Sequence, residues 1–141
     1  MVKLALVTEQ TVYHVHDDMH VVLLSSVTIT SDPLSPIIEG TNVTLTCTVE
    51  LSPAVVESDL SLLMVDAQLS RDGTPLTLTG PTVAGTIFTY TIQLDSFGRN
   101  DSGNYTCIAT VRPHPHSTYI APSNTLSHTV RVTTGKINLS I

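Results

Sequence analysis

Apolar and polar residues alternate with a period of two over several stretches of the chain. Val43, Leu45, Cys47, Val49 and Leu51 fall on one face of such a stretch, while Thr44, Thr46, Thr48 and Glu50 fall on the other. This is the pattern of a strand with one buried face. Phe88, Tyr90, Ile92 and Leu94 alternate with Thr89, Thr91 and Gln93 in the same way. Tyr105, Cys107, Ala109 and Val111 form a third apolar row, and the run from Leu126 to Val132 alternates once more. Cys47 and Cys107 therefore both point inward, and two cysteines on two inward faces can meet across a core.

Turn chemistry fits between these rows. A run from Leu62 to Ser70 precedes Arg71, Asp72, Gly73 and Thr74, and an Asp-Gly pair suits the positive φ angles of a two-residue hairpin. The chain is expected to return as a short strand over Leu76–Leu78, and Thr133–Gly135 closes the last row. The stretch from Val27 to Pro36 reads as an edge strand interrupted by Pro33 and Pro36, since proline cannot supply a ladder hydrogen bond. Further upstream, Thr11–His16 and Val21–Leu24 are possible strands of a neighbouring module. The expected division is a 1–26 extension or module remnant, a 27–134 domain and a 135–141 linker.

Length and composition narrow the class. A chain of 141 residues is about one domain long. It is rich in Thr, Ser and Val, with only 4% aromatic residues, a profile that favours strands over helices. Twelve acidic residues against six basic ones give a net charge of -6, which repels phosphate backbones, so no nucleic-acid partner is expected. No run approaches the ~20 apolar residues that span a bilayer, so no direct membrane insertion is expected. The start, Met1 to Val7, holds too short an apolar run for a secretory leader. With an extracellular reading, this implies a piece of a longer product whose signal and anchor lie elsewhere.

Asp101, Gly103, Tyr105 and Cys107 match the D-x-G-x-Y-x-C signature of immunoglobulin-like domains, and Gly40, Val43, Leu45 and Cys47 match the pattern of the earlier cysteine strand. The chain resembles that family over roughly residues 27–134. The resemblance implies an all-β antiparallel sandwich of Greek-key topology with a Cys47–Cys107 disulfide. Such a link would close a loop of about 60 residues and, on a chain-entropy argument, contribute roughly 4 kcal/mol. It also implies that Tyr105 sends its hydroxyl back to an upstream backbone group, that Gly103 occupies a turn closed to larger side chains, and that Asp101 accepts backbone donors and pairs with an arginine. Arg71 and Arg99 are both open as that arginine. The family's core tryptophan is missing, because the chain has none. Leu69 is the expected replacement, with Phe88, Tyr90 or Ile92 leaning in to fill the remaining volume.

The other candidates concern modification and recognition. Asn42, Asn100, Asn104 and Asn138 head N-x-S/T sequons, which suit a secretory route, and Asn100 and Asn104 are close enough to compete. His14, His16 and His20 lie near Asp17 and Asp18, but the spacing fixes no third ligand, and His114 and His116 flank Pro115 in a loop; no metal site and no cofactor are expected. No nucleophile elbow, phosphate loop, zinc motif or paired carboxylates are present, so no enzyme activity is expected. A long connection from Arg112 to Asn124 carries Tyr119 and Ile120, and the family places it beside the loop after Leu51, which holds Val55 and Val56. These four residues are the expected partner contacts. The implied function is non-enzymatic recognition or adhesion at the cell surface or outside the cell, with a protein or glycan partner that includes a second copy of the chain. The alternatives are a ligand-sensing receptor ectodomain and a spacer in a tandem array.

Overall fold

The computed structural model describes residues 23–55, 57–114 and 123–135. Ten strands follow in order: β1 (Leu24–Asp32), β2 (Ile37–Ile38), β3 (Val43–Leu51), β4 (Leu63–Arg71), β5 (Thr74–Leu76), β6 (Thr79–Ala84), β7 (Ile87–Leu94), β8 (Gly103–Pro113), β9 (Asn124–Val132) and β10 (Thr134–Gly135). Short 3₁₀ turns occupy Glu57–Leu62 and Arg99–Asp101. One sheet has the order β1-β3-β7-β6 and the other β5-β4-β8-β9, with β2 pairing β10 in parallel. Neighbours within each four-stranded sheet are antiparallel. The β3–β4 and β7–β8 connections cross between the sheets, so the fold is an all-β sandwich.

The alternation read from the sequence sets the two inner faces. Val43, Leu45, Cys47, Val49 and Leu51 are buried along β3, and Tyr105, Cys107, Ala109 and Val111 along β8. Their intervening residues face outward, and this is where the threonines go. In the first sheet, register places Thr30, Thr46, Thr91 and Thr79 in one row across four strands, and Thr28, Thr48, Thr89 and Thr82 in the next. Threonine suits these positions because its branched Cβ favours extended backbone while its hydroxyl stays in water.

Two expectations shift in position. β1 begins at Leu24, and Leu23 and Leu24 are both buried, so the sandwich starts ahead of the boundary drawn at residue 27. β5 covers Thr74–Leu76 instead of Leu76–Leu78, because the turn has only two central residues and Arg71 pairs directly with Thr74. Asp72 and Gly73 there have φ values of 48° and 89°, the left-handed pair that the hairpin requires. β6 has no counterpart in the periodicity, since all six of its residues are exposed and it is held by pairing with β7.

Candidate functional site

The centre of the core is the disulfide between Cys47 of β3 and Cys107 of β8, whose Cα atoms lie 6.3 Å apart. Leu69 is fully buried and pairs in register with Cys107, in the place left by the absent indole. The remaining gap is filled from the opposite sheet. Tyr90 pairs in register with Cys47, is 6% exposed, and donates a hydrogen bond of 3.4 Å to the Val65 carbonyl on β4. Burial pushes its phenol pKa up, and the Asp66 carboxylate adds to the shift. Phe97, in the β7–β8 connection, is also fully buried and is fixed by backbone bonds from Phe97 N to Thr41 O and from Gly40 N to Phe97 O, both 2.9 Å.

The signature residues form one bracket at the pole where β8 begins. Tyr105 donates its hydroxyl to the Asp101 carbonyl. The Asp101 carboxylate accepts from Gly98 N at 2.8 Å and from Arg71 Nη1 at 3.4 Å, so Arg71 and not Arg99 is the partner. The Tyr105 hydroxyl and, more weakly, the nearby carboxylates hold the Arg71 guanidinium above its usual range. Burial raises the Tyr105 phenol, and Arg71 opposes that shift. Gly103 has a different reason from the one expected. Its backbone is ordinary strand, but a Cβ there would sit 2.4 Å from Asp72 Oδ2. Asp72 cannot easily retreat, since Asn104 N donates to its Oδ1 at 3.0 Å and its own N–H donates to Asn104 O at 2.9 Å. The bracket ties β4, β8 and the 3₁₀ turn together and is structural.

The surfaces open to a partner are distributed unevenly. Asn42, Asn100 and Asn104 are all outside the buried core and all lie at this same pole, at the starts of β3 and β8 and in the turn between β7 and β8. Asn42 Oδ1 accepts from Ser96 N at 2.9 Å, and Asn104 Oδ1 accepts from Arg131 Nη1 at 3.4 Å. Asn138 lies outside the described residues, as do His14, His16, His20 and His116. At the opposite pole Val55 is only 4% exposed and packs in the core, which corrects its assignment as a partner contact: the loop folds its valine inward instead of presenting it. Val56, Tyr119 and Ile120 lie outside the described residues.

The outward face of the second sheet centres on Ile108 of β8, 38% exposed, flanked in register by Gln68 of β4 and Ser127 of β9. Thr106 and Thr129 share a hydroxyl contact of 2.7 Å on one side of it, and Thr110 and Thr125 one of 3.3 Å on the other. The Arg112–Asp66 ion pair, at 3.2 Å, sits towards the β8 end of this face. Among the described residues no helix is long and apolar enough to cross a membrane.

Two antiparallel sheets pinned by an inter-sheet disulfide, with the tyrosine beside the second cysteine bonded back to the preceding turn, define an immunoglobulin-like sandwich. The family description of the immunoglobulin domain matches residues 33–120, well over half of the chain. The chain belongs to that family. No curated protein is similar enough to count as a match. Among solved structures, a segment of three immunoglobulin domains of titin in a Glu-to-Ala variant is similar at 16% identity and a TM-score of 0.39. That similarity covers 78% of this chain and 33% of the titin chain, so the present chain spans about a third of it.

Proposed function

We propose that the chain is a non-enzymatic recognition or adhesion module of a cell-surface or secreted protein, and that its partner is a protein surface bound by the outer face of β4, β8 and β9. The observation that carries this reading is the placement of Ile108 among Gln68, Ser127 and four threonines, with the Arg112–Asp66 ion pair on one side and Arg131 on the other. An apolar centre inside a polar surround is the anatomy of protein interfaces, where fully desolvated central positions dominate binding. The disulfide and the gathered sequons favour an oxidising, glycosylating route. The test is an array of displayed cell-surface proteins, the chain itself included, probed with the chain and with Ile108→Asp. Binding that the variant loses supports the reading, and no binding, or binding indifferent to Ile108→Asp, defeats it.

A second reading, the spacer in a tandem array, rests on one observation. The described chain enters the sandwich at the pole where Leu24 pairs Leu51 and leaves at the other, where β10 pairs β2. Opposite entry and exit allow modules to follow one another end to end, and that role needs no partner at Ile108.

A further inference from the structure

The first sheet ends in two edge strands that differ in their surroundings. β1 is bonded to β9, where Leu23 N donates to Asn124 Oδ1 and Ile29 N to His128 Nδ1 at 2.9 Å. β6, at the other end of the order β1-β3-β7-β6, has no ladder partner on its outer edge. All six of its residues are exposed, with Val83 at 50%. The run that contains it, residues 74–86, holds five threonines and two prolines and no charged residue. Threonine-rich and serine-rich segments with proline are the composition of O-glycosylated stalks. The threonines of β3 and β7 are half-buried on strands paired along both edges, whereas here exposed hydroxyls coincide with an unpaired backbone.

Within that run the geometry singles out one acceptor. Thr79 donates its hydroxyl to Thr91 O at 2.8 Å, and Thr86 is half-buried with its carbonyl accepting from Leu51 N at 3.0 Å. Thr74 belongs to the hairpin arm that pairs with Arg71, and Thr77 lies between β5 and β6. Thr82 is exposed, and its hydroxyl makes no hydrogen bond among the described residues. It follows Gly80 and Pro81, which occupy a shift in register against β7. Beyond the shift, Thr82, Val83 and Ala84 pair in unbroken order with Thr89, Phe88 and Ile87.

We propose that Thr82 is an O-glycosylation site and that its sugar covers the open edge of β6; this rests on the secretory, extracellular reading of the chain. The Thr82 Oγ1 forms a bond to the anomeric carbon of an N-acetylhexosamine supplied as a nucleoside-diphosphate sugar. The bond from that carbon to the diphosphate breaks, the nucleoside diphosphate leaves, and the hydroxyl proton passes to solvent. A separate transferase carries out the step, and the chain contributes a free hydroxyl on an edge that an enzyme cleft can take as an extended strand. An uncharged edge is also a template for pairing with another chain. Pro81 and the register shift interrupt its first half, but residues 82–84 run straight and carry no charge, so a bulky, hydrated sugar at Thr82 stands where a second strand would dock.

The test is expression of the whole chain behind a secretory leader in cultured animal cells, with the chain recovered from the medium, cut with trypsin and read by electron-transfer mass spectrometry. Cleavage at Arg71 and Arg99 releases residues 72–99, which contain no asparagine, so any hexosamine on that peptide is O-linked. The expected result is the added mass of an N-acetylhexosamine, placed on Thr82 by the fragment ions. A bare peptide, or one that carries hexosamine only at other residues, overturns the inference. Thr82→Ala should lose that mass and sediment as larger species at concentrations where the modified chain is a monomer; equal sedimentation overturns the covering role. The first measurement needs only the unaltered chain, so it decides the site even if the variant does not fold. A modified Thr82 on a chain that binds no displayed protein defeats the recognition reading alone, and a bare Thr82 on a chain that binds through Ile108 defeats this inference alone.

Discussion

Reduction of the disulfide is the perturbation whose size follows most directly from the structure. Cys47 and Cys107 are 60 residues apart in sequence, and a link closing a loop of that length restricts the unfolded chain by about 4 kcal/mol. Reduction leaves both sulfur atoms in place, so Leu69 and Tyr90 keep their neighbours and little cavity term enters. A loss of about 4 kcal/mol is a large share of the ~5–15 kcal/mol by which domains are stable, and at roughly 4 °C per kcal/mol it lowers Tm by about 15 °C. The assay is thermal unfolding by circular dichroism with and without reductant, with both free thiols verified by alkylation and mass spectrometry. A fully reduced chain whose Tm falls by less than about 3 °C would refute the loop-entropy argument, since that shift corresponds to under ~1 kcal/mol.

Gly103→Ala should destabilise the fold by about 1–3 kcal/mol, because its Cβ displaces the Asp72 carboxylate from Asn104 N; Asp72→Gly in the same chain should restore part of the loss in urea unfolding. Tyr90→Phe removes the bond to the Val65 carbonyl and should cost about 0.5–1.5 kcal/mol by the same measurement, with near-ultraviolet dichroism reporting intact packing. In alkali the sign follows from the raised phenols of Tyr90 and Tyr105. Their contribution is complete below the ordinary tyrosine value near pH 10 and is lost as pH rises through the higher folded values, so the denaturation midpoint should drop above about pH 10 and not before. Expressed through a secretory route, the chain should carry glycans at Asn42 and at one of Asn100 and Asn104, as peptide mass spectrometry of site occupancy would reveal; an unmodified chain would count against the extracellular reading.

What the sequence made legible depends on whether the information was local. Alternation over Val43–Leu51 and Tyr105–Val111 is enough to say which side chains point inward, and Asp72-Gly73 is enough to place a hairpin, because each rests on the backbone geometry of a few consecutive residues. The edge strand β6 was not legible. Its residues are all exposed, so it carries no periodic signature and exists as a strand only because β7 offers a ladder. Phe97 and Val55 failed for the opposite reason: each is an apolar residue in a connection, where periodicity cannot distinguish a side chain folded into the core from one held out towards a partner.

Choices between distant partners were also closed to a reading along the chain. Arg71 rather than Arg99 meets Asp101 because β4 pairs β8 with Arg71 opposite Tyr105, a register fixed by contacts more than thirty residues apart. His128 is the sharpest instance. Its odd position in an alternating row marks it as inward-facing, which for a half-exposed polar ring looks like a flaw in the strand. The flaw becomes a contact only when β1, a hundred residues earlier, presents an amide with no ladder partner on that side. Periodicity specifies the face on which a residue lies, whereas the neighbour it meets there is decided by how the sheets close. Residues that break the apolar pattern of an edge strand are therefore where a sandwich's closure has to be read from structure.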